Sequence, residues 1–305
     1  MYLTPYYFLF LQLCIICFSR WKGDLYVNSN INVGGVVVPL VTPIRENGDI
    51  DYEGLEKIVC RLTDSGVDGF FIAGTTGRFS WFTPKQNSEV CRAVYKLAGN
   101  AVTIYGGCCD SGLNRVLDNI DMMQKSGAHT VVVTTPYYLS YNDNEIESAL
   151  YQIAEKSPLP IVLYDIPEFT RHRMRLEWLE DIADHPNIIG YKDSTNDIRH
   201  HLDLLKRTAN KNFNVLIGKE HMLCSALKAG AAGLIVSFAN AFPEPFINLY
   251  KHAKKGSWPE AEKIQDDIIN MVNEFELNRN NTEFSSLLYY LEEKINSRGV
   301  AIKLI

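Results

Sequence analysis

Asn187-Ile188-Ile189-Gly190-Tyr191-Lys192-Asp193-Ser194 is the stretch on which the fold is read. An apolar run of β-favouring character leads into a lysine and then an Asp-Ser pair of the kind that caps helices. The lysine therefore falls where a short buried strand ends and a loop begins. Lysine is rarely buried unless paired, and desolvation favours its neutral amine, the form that attacks carbonyls. A second stretch, Pro160-Ile161-Val162-Leu163-Tyr164-Asp165-Ile166-Pro167, ends the preceding strand with a tyrosine at the same level. Amine and phenol on adjacent strand ends make a candidate nucleophile and proton shuttle.

Outward from these two segments the chain alternates strand and helix. Strands are expected over 34–41, 69–73, 102–105 and 130–134, then at the two stretches above, then over 215–217 and 234–236. Thr83-Pro84-Lys85-Gln86 carries a helix start with a capping hydroxyl, a proline at the first helical position and a glutamine three residues on. Asn142 to Glu145 opens another helix in the same way. Eight such units with short connections require a (β/α)8 barrel (a TIM barrel) over 33–254, since a doubly wound sheet stops at fewer strands. Helical patterns over 259–275 and 285–297 form a C-terminal helical appendage within 255–305, with a polar loop near Asn278. Residues 1–32, with a nearly unbroken apolar run from Tyr6 to Phe18, are expected to lie outside the fold. No basic residue precedes that run, which argues against a secretory signal.

The 305 residues carry a net charge of −6, which offers no basic footprint for nucleic acid. Seven cysteines, without paired CxxC motifs, fit neither a disulfide framework nor a zinc site. A reducing, cytoplasmic setting is expected, with no metal ion and no membrane partner for the barrel. The CxxC at Cys14 and Cys17 lies inside the apolar run, not in a βαβ context. Cys108-Cys109 and His129 are read as packing residues.

In a barrel of this kind chemistry gathers at the carboxyl ends of the strands. Those ends present Gly74-Thr75-Thr76-Gly77-Arg78, whose backbone N–H groups and two hydroxyls suit a carboxylate, then Thr135-Pro136-Tyr137-Tyr138, Tyr164, Lys192, Gly218-Lys219 and Ser237.

The ordered set GTTG, TPYY, LYDIP, IIGYKDST, LIG and GLIVSFAN resembles the dihydrodipicolinate synthase and N-acetylneuraminate lyase family of pyruvate-dependent class I aldolases, over about 33–254. The resemblance implies that Lys192 forms a Schiff base with pyruvate, without any other cofactor, and that Tyr164 moves protons. It implies that Thr75 and Thr76 hold the pyruvate carboxylate, with Gly74 and Gly77 shaping the loop and Thr75 joining a hydroxyl relay. It makes Tyr138 a relay residue supplied by the neighbouring subunit of a homodimer or homotetramer, and it has Gly218 and Ile235 line the pyruvate site. The chain departs from the synthase branch at Phe169, where an arginine binds the aldehyde's carboxylate, and at Arg78, where an acid is common. Cleavage of an anionic 2-keto-3-deoxy sugar acid facing Arg78 is therefore the expected reaction. Synthesis of 4-hydroxy-tetrahydrodipicolinate and sialic-acid cleavage are the enzymatic alternatives. A non-catalytic paralogue that binds a 2-keto acid is the alternative of another class.

Overall fold

The computed structural model describes residues 31–278 and 284–305. Eight parallel strands close into a barrel in sequence order, with β1 paired back onto β8. They are β1 (Gly35–Pro39), β2 (Gly69–Ile72), β3 (Thr103–Gly107), β4 (Thr130–Thr134), β5 (Ile161–Asp165), β6 (Ile188–Asp193), β7 (Asn214–Ile217) and β8 (Gly233–Ile235). The helices that follow them are α1 (Tyr52–Ser65), α2 (Pro84–Ala98), α3 (Leu113–Lys125), α4 (Asp143–Lys156), a short α5 (Pro167–Thr170) with α6 (Leu176–Ile182), α7 (Ile198–Arg207), α8 (Leu223–Lys228) and α9 (Pro243–Lys254). The appendage is α10 (Trp258–Asn278) and α11 (Phe284–Ser297).

Strand alternation splits the core into two layers. Val37, Phe71, Tyr105, Val132, Val162, Tyr164, Leu216 and Ile235 fill the barrel, while Val36, Phe70, Ile104, Val131, Leu163 and Tyr191 pack outward against the helices. The expected caps are present. Thr83 Oγ1 accepts the Gln86 N–H at 3.2 Å and Asn142 Oδ1 accepts the Glu145 N–H at 3.1 Å, with the glutamine and glutamate returning to the cap N–H groups.

Strand β3 runs two residues further than its apolar pattern suggests, through Gly106 and Gly107. A Cβ on Gly107 would sit 2.1 Å from the Ala73 carbonyl oxygen, so only glycine lets β2 and β3 approach there. Asp193 does not cap a helix. It is the last residue of β6, and the cap of α7 is Asp197, whose carboxylate accepts the Arg199 and His200 N–H groups. Ile31 and Asn32, assigned to the extension by pattern, pack beneath the barrel. The Asn32 carbonyl accepts from Thr103 Oγ1 at 3.0 Å, and Ile31 packs on the inner core. Residues 1–30 of that expected extension, with Cys14 and Cys17, lie outside the described residues, as does the loop beyond Asn278. After α11 the chain returns to the β1–α1 loop, where Ile44 N–H donates to the Lys303 carbonyl at 2.8 Å and Ile302 and Leu304 are buried.

Candidate active site

Lys192 and Tyr164 stand opposite each other in the β5–β6 register, both pointing into the barrel. The Lys192 side chain is 4% exposed, and its Nζ lies 3.9 Å from the centre of the Tyr164 ring and 4.9 Å from that of Phe71. Burial lowers the lysine pKa to about 7; Cys109 and Glu220 oppose that shift and Lys219 adds to it. Among the described residues no carboxylate forms an ion pair with it, and with burial outweighing Glu220 a large share of the amine is neutral near pH 7. Burial pushes the Tyr164 phenol well above its ordinary value, and hydrogen bonds with Thr75 and Ser194 recover part of that shift. The tyrosine is therefore a neutral phenol near pH 7.

Gly74 to Gly77 form a tight turn on the end of β2, closed by Arg78 N–H to Thr75 O at 2.9 Å and Phe79 N–H to Gly74 O at 3.2 Å. Ala73 and Arg78 flank it with positive φ of 55° and 57°, uncommon for residues bearing a side chain. A Cβ on Gly77 would sit 2.8 Å from the Leu40 carbonyl oxygen, which is why the loop can pack down onto β1. The Thr76 hydroxyl is buried 2.7 Å from Ser237 Oγ. Gly218 donates to the Asp193 carbonyl at 2.8 Å, and a Cβ there would come within 3.3 Å of Lys192 Cε. Ile235 lines the same interior.

A further network stands behind the site, on the outer side of the same strand ends. Asp165 accepts from Tyr191 Oη at 2.9 Å and Met174 N–H at 3.1 Å, and burial raises its pKa to about 6. Asp193 accepts from Thr195 at 2.8 Å and has His201 Nδ1 at 3.0 Å and His200 Nδ1 at 4.0 Å. Burial opposes its charge, yet the histidines and Thr195 together hold it below the usual carboxylate range. These bonds pin the ends of β5 and β6 to the helix layer.

Of the remaining expected site residues, Tyr138 is exposed, as a residue offered to a neighbouring subunit would be, and Arg78 is tied within its own chain. Tyr138 is 92% exposed with φ of 83° and does not meet Lys192 within its own chain. Arg78 borders a cavity of about 390 Å³, but its guanidinium donates to the Leu304 carbonyl and stacks 4.3 Å over the Trp81 ring. Lys219 lies 3.8 Å from Glu168. The cavity is lined by Thr75, Ser80, Cys109, Thr134 and Thr170 together with Phe79, Trp81, Tyr137, Ile166 and Phe169. Sequence reading passed over Ser194, Cys109, Phe71 and Tyr137. Ser194 and Tyr137 adjoin residues it did choose, whereas Phe71 looks like any apolar strand residue and Cys109, just past the end of β3, was read as a packing residue. Burial pushes the Cys109 thiol up to about 11, so it stands beside the lysine uncharged. His129 is structural, as expected, its Nδ1 accepting the Ile104 N–H at 3.0 Å.

Among the described residues no group of three or more His, Cys, Asp or Glu is placed to hold a metal ion, and no helix is long and apolar enough to cross a membrane. Comparison with known proteins agrees with this geometry. The chain is 32% identical to the 4-hydroxy-tetrahydrodipicolinate synthase of Staphylococcus haemolyticus over 225 residues, 73% of this chain and 75% of that one. The dihydrodipicolinate synthase of Bacteroides thetaiotaomicron superposes with a TM-score of 0.83 at 26% identity, covering 90% of this chain and 91% of that one. The 2-keto 3-deoxygluconate aldolase of Picrophilus torridus superposes with a TM-score of 0.78, also at 26% identity, covering 86% and 93%. The family model of the dihydrodipicolinate synthetases matches residues 32–296, and the chain belongs to that family of pyruvate-dependent aldolases and lyases.

Proposed function

We propose that this lyase works through a Schiff base on Lys192, which condenses with the ketone of pyruvate or of a 2-keto acid that yields pyruvate. The observation that carries the reading is a buried lysine, lowered to about 7, facing a buried tyrosine in strand register. The neutral amine attacks the ketone, water leaves, and the resulting iminium draws electrons from the third carbon, so that a carbon–carbon bond is made or broken through an enamine. Tyr164, hydrogen bonded to Thr75, carries the protons of these steps. The Gly74–Gly77 turn with Thr76 holds the pyruvate carboxylate in one orientation, and Gly218 and Ile235 close the other side. The iminium is itself the electron sink, so the mechanism calls on no metal ion or nucleotide.

Tyr138 joins the relay of a neighbouring subunit in a homodimer or homotetramer, a role its exposure permits. For the partner aldehyde, cleavage of a 2-keto-3-deoxy sugar acid is supported by the likeness to the Picrophilus aldolase, with Arg78 on the cavity wall. The synthase reaction is supported by the Staphylococcus relative, although Phe169 stands where that branch places its arginine.

Pyruvate with cyanoborohydride, followed by intact mass and peptide mapping, tests the Schiff base. A stable adduct on Lys192 is expected, and Lys192→Arg should form none, because a guanidinium stays protonated. An adduct elsewhere, or turnover surviving in that variant, would refute the assignment.

A further inference from the structure

We propose that Thr134 is a further catalytic residue, whose hydroxyl donates a hydrogen bond to the oxygen that the aldehyde brings to the carbon–carbon bond. The proposal rests on the Schiff-base reading of Lys192 and holds whichever aldehyde the chain takes. Thr134 is the last residue of β4, and strand alternation turns it inward above Val132, as it turns Tyr164 inward above Val162. It stands opposite Tyr164 in the β4–β5 register, and Tyr164 stands opposite Lys192 in the β5–β6 register. Hydroxyl, phenol and amine thus form one row on three neighbouring strand ends, with the phenol in the middle. Thr134 also lines the cavity of about 390 Å³, together with Thr75 and Cys109.

The state of this hydroxyl points to a ligand. Thr134 is 5% exposed, and its Oγ1 is buried with no hydrogen-bond partner among the described residues. It is the one such atom among them that lines the cavity. The Cys109 thiol is near enough to interact with it, but burial keeps that thiol protonated, and a thiol is a weak partner. Two other hydroxyls of the lining are spent. Thr170 donates to the backbone carbonyls of Ile166 and His172, and Thr75 is bonded to the Tyr164 phenol. A buried hydroxyl left unpaired is costly, and valine would fill the same space without that cost. An oxygen of the bound substrate satisfies it.

Which oxygen it meets follows from the row. On the Schiff-base reading the Gly74–Gly77 turn with Thr76 takes the pyruvate carboxylate, and the keto oxygen leaves as water when the imine forms. The next oxygen along the substrate is the aldehyde's, on the carbon that joins the third carbon of pyruvate. In condensation the enamine carbon bonds to the aldehyde carbon and the carbonyl electron pair moves to oxygen. Tyr164 passes to that oxygen the proton that the third carbon lost when the enamine formed. Thr134 donates a hydrogen bond there and keeps its own proton. Cleavage runs the same path in reverse. Charge builds on this oxygen in the transition state, so a second donor beside Tyr164 acts mainly on kcat.

The test uses the full chain and two readouts. Exchange of the pyruvate methyl protons in deuterated water, followed by NMR, calls on Lys192 and Tyr164 but on no aldehyde. Condensation of pyruvate with glycolaldehyde, D-glyceraldehyde and aspartate 4-semialdehyde calls on the aldehyde oxygen as well. Thr134→Val keeps the shape and deletes the hydroxyl, so it should leave methyl exchange within about twofold of native and lower kcat of the fastest condensation about 10- to 100-fold. Thr134→Ser should restore condensation to within a few-fold, and thermal unfolding should find Thr134→Val at least as stable as the native chain. A native chain that neither exchanges the methyl protons nor traps pyruvate overturns the Schiff-base reading and this one together. With exchange intact, a native chain that condenses none of the three aldehydes overturns this proposal alone, and so does unchanged condensation in Thr134→Val. Exchange and condensation falling in parallel in that variant also overturn it, since Thr134 would then be supporting Lys192 and Tyr164 and not the aldehyde oxygen.

Discussion

The lowered pKa of Lys192 follows from where β6 delivers it. An exposed lysine near pH 7 is almost wholly an ammonium, but the interior of the barrel lowers this one to about 7. Imine formation consumes the neutral form, so the trapping rate with pyruvate should climb about tenfold per pH unit below 7 and level off above about 8. A profile still rising steeply to pH 10 would show an ordinary lysine. Tyr164→Phe keeps the ring over Lys192 and removes only the hydroxyl shared with Thr75 and Ser194. Turnover should fall roughly 100- to 10,000-fold while pyruvate is still trapped more slowly. Unchanged steady-state kcat in that variant would take Tyr164 out of the proton path.

At the scale of the element, the proposed site depends on how firmly the ends of β5 and β6 are held, since their inward residues are Tyr164 and Lys192 and their outward residues anchor them. Asp165 and Asp193, paired in register, are both buried carboxylates but differ in partners. Asp193 has two histidines and Thr195, while Asp165 has a phenol and one N–H. Burial raises Asp165 from 3.8 to about 6, so between those values the folded chain binds more protons than the unfolded chain. Stability from this group is therefore greatest below that window and falls as pH rises through it. Asp165→Asn removes the ionisation, and calorimetry at pH 4 and pH 7 should show the variant gaining on the native chain by up to about 3 kcal/mol between the two. A difference that is the same at both pH values would mean that Asp165 ionises normally.

For the whole molecule, the chain's long-range closures shape the site, and the relay role proposed for Tyr138 calls for assembly. Tyr138 and Leu139 stand 92% and 62% exposed at the rim of the barrel, so the relay role proposed for the phenol calls for a second subunit. Sedimentation at micromolar concentration should show at least a dimer, and Tyr138→Phe should lower kcat about tenfold or more in the assembled protein. A fully active monomer would remove Tyr138 from the relay. The same scale explains Arg78. Its partner Leu304 is held by burial and by return of the chain past Ile44, so an arginine that looks free to meet substrate is instead tied to a distant carbonyl.

The fold was legible in the sequence because its signals are local. Apolar strands ending in polar turns, and caps such as Thr83 with Gln86, depend on neighbours within a few residues, and eight repeats leave one closed architecture. Lys192 and Tyr164 were legible for the same reason, as polar residues where apolar strands end. What the tertiary structure alone decided is everything that needs two distant segments to meet. It turned Asp193 from a cap into a buried partner of His201, drew Ile31 and Asn32 under the barrel, and withdrew Arg78 toward Leu304. It also gathered Phe79, Trp81, Tyr137 and Phe169 from three loops into one wall. Closing β1 onto β8 sets which loops are neighbours, and that proximity leaves no trace in the periodicity of any single segment.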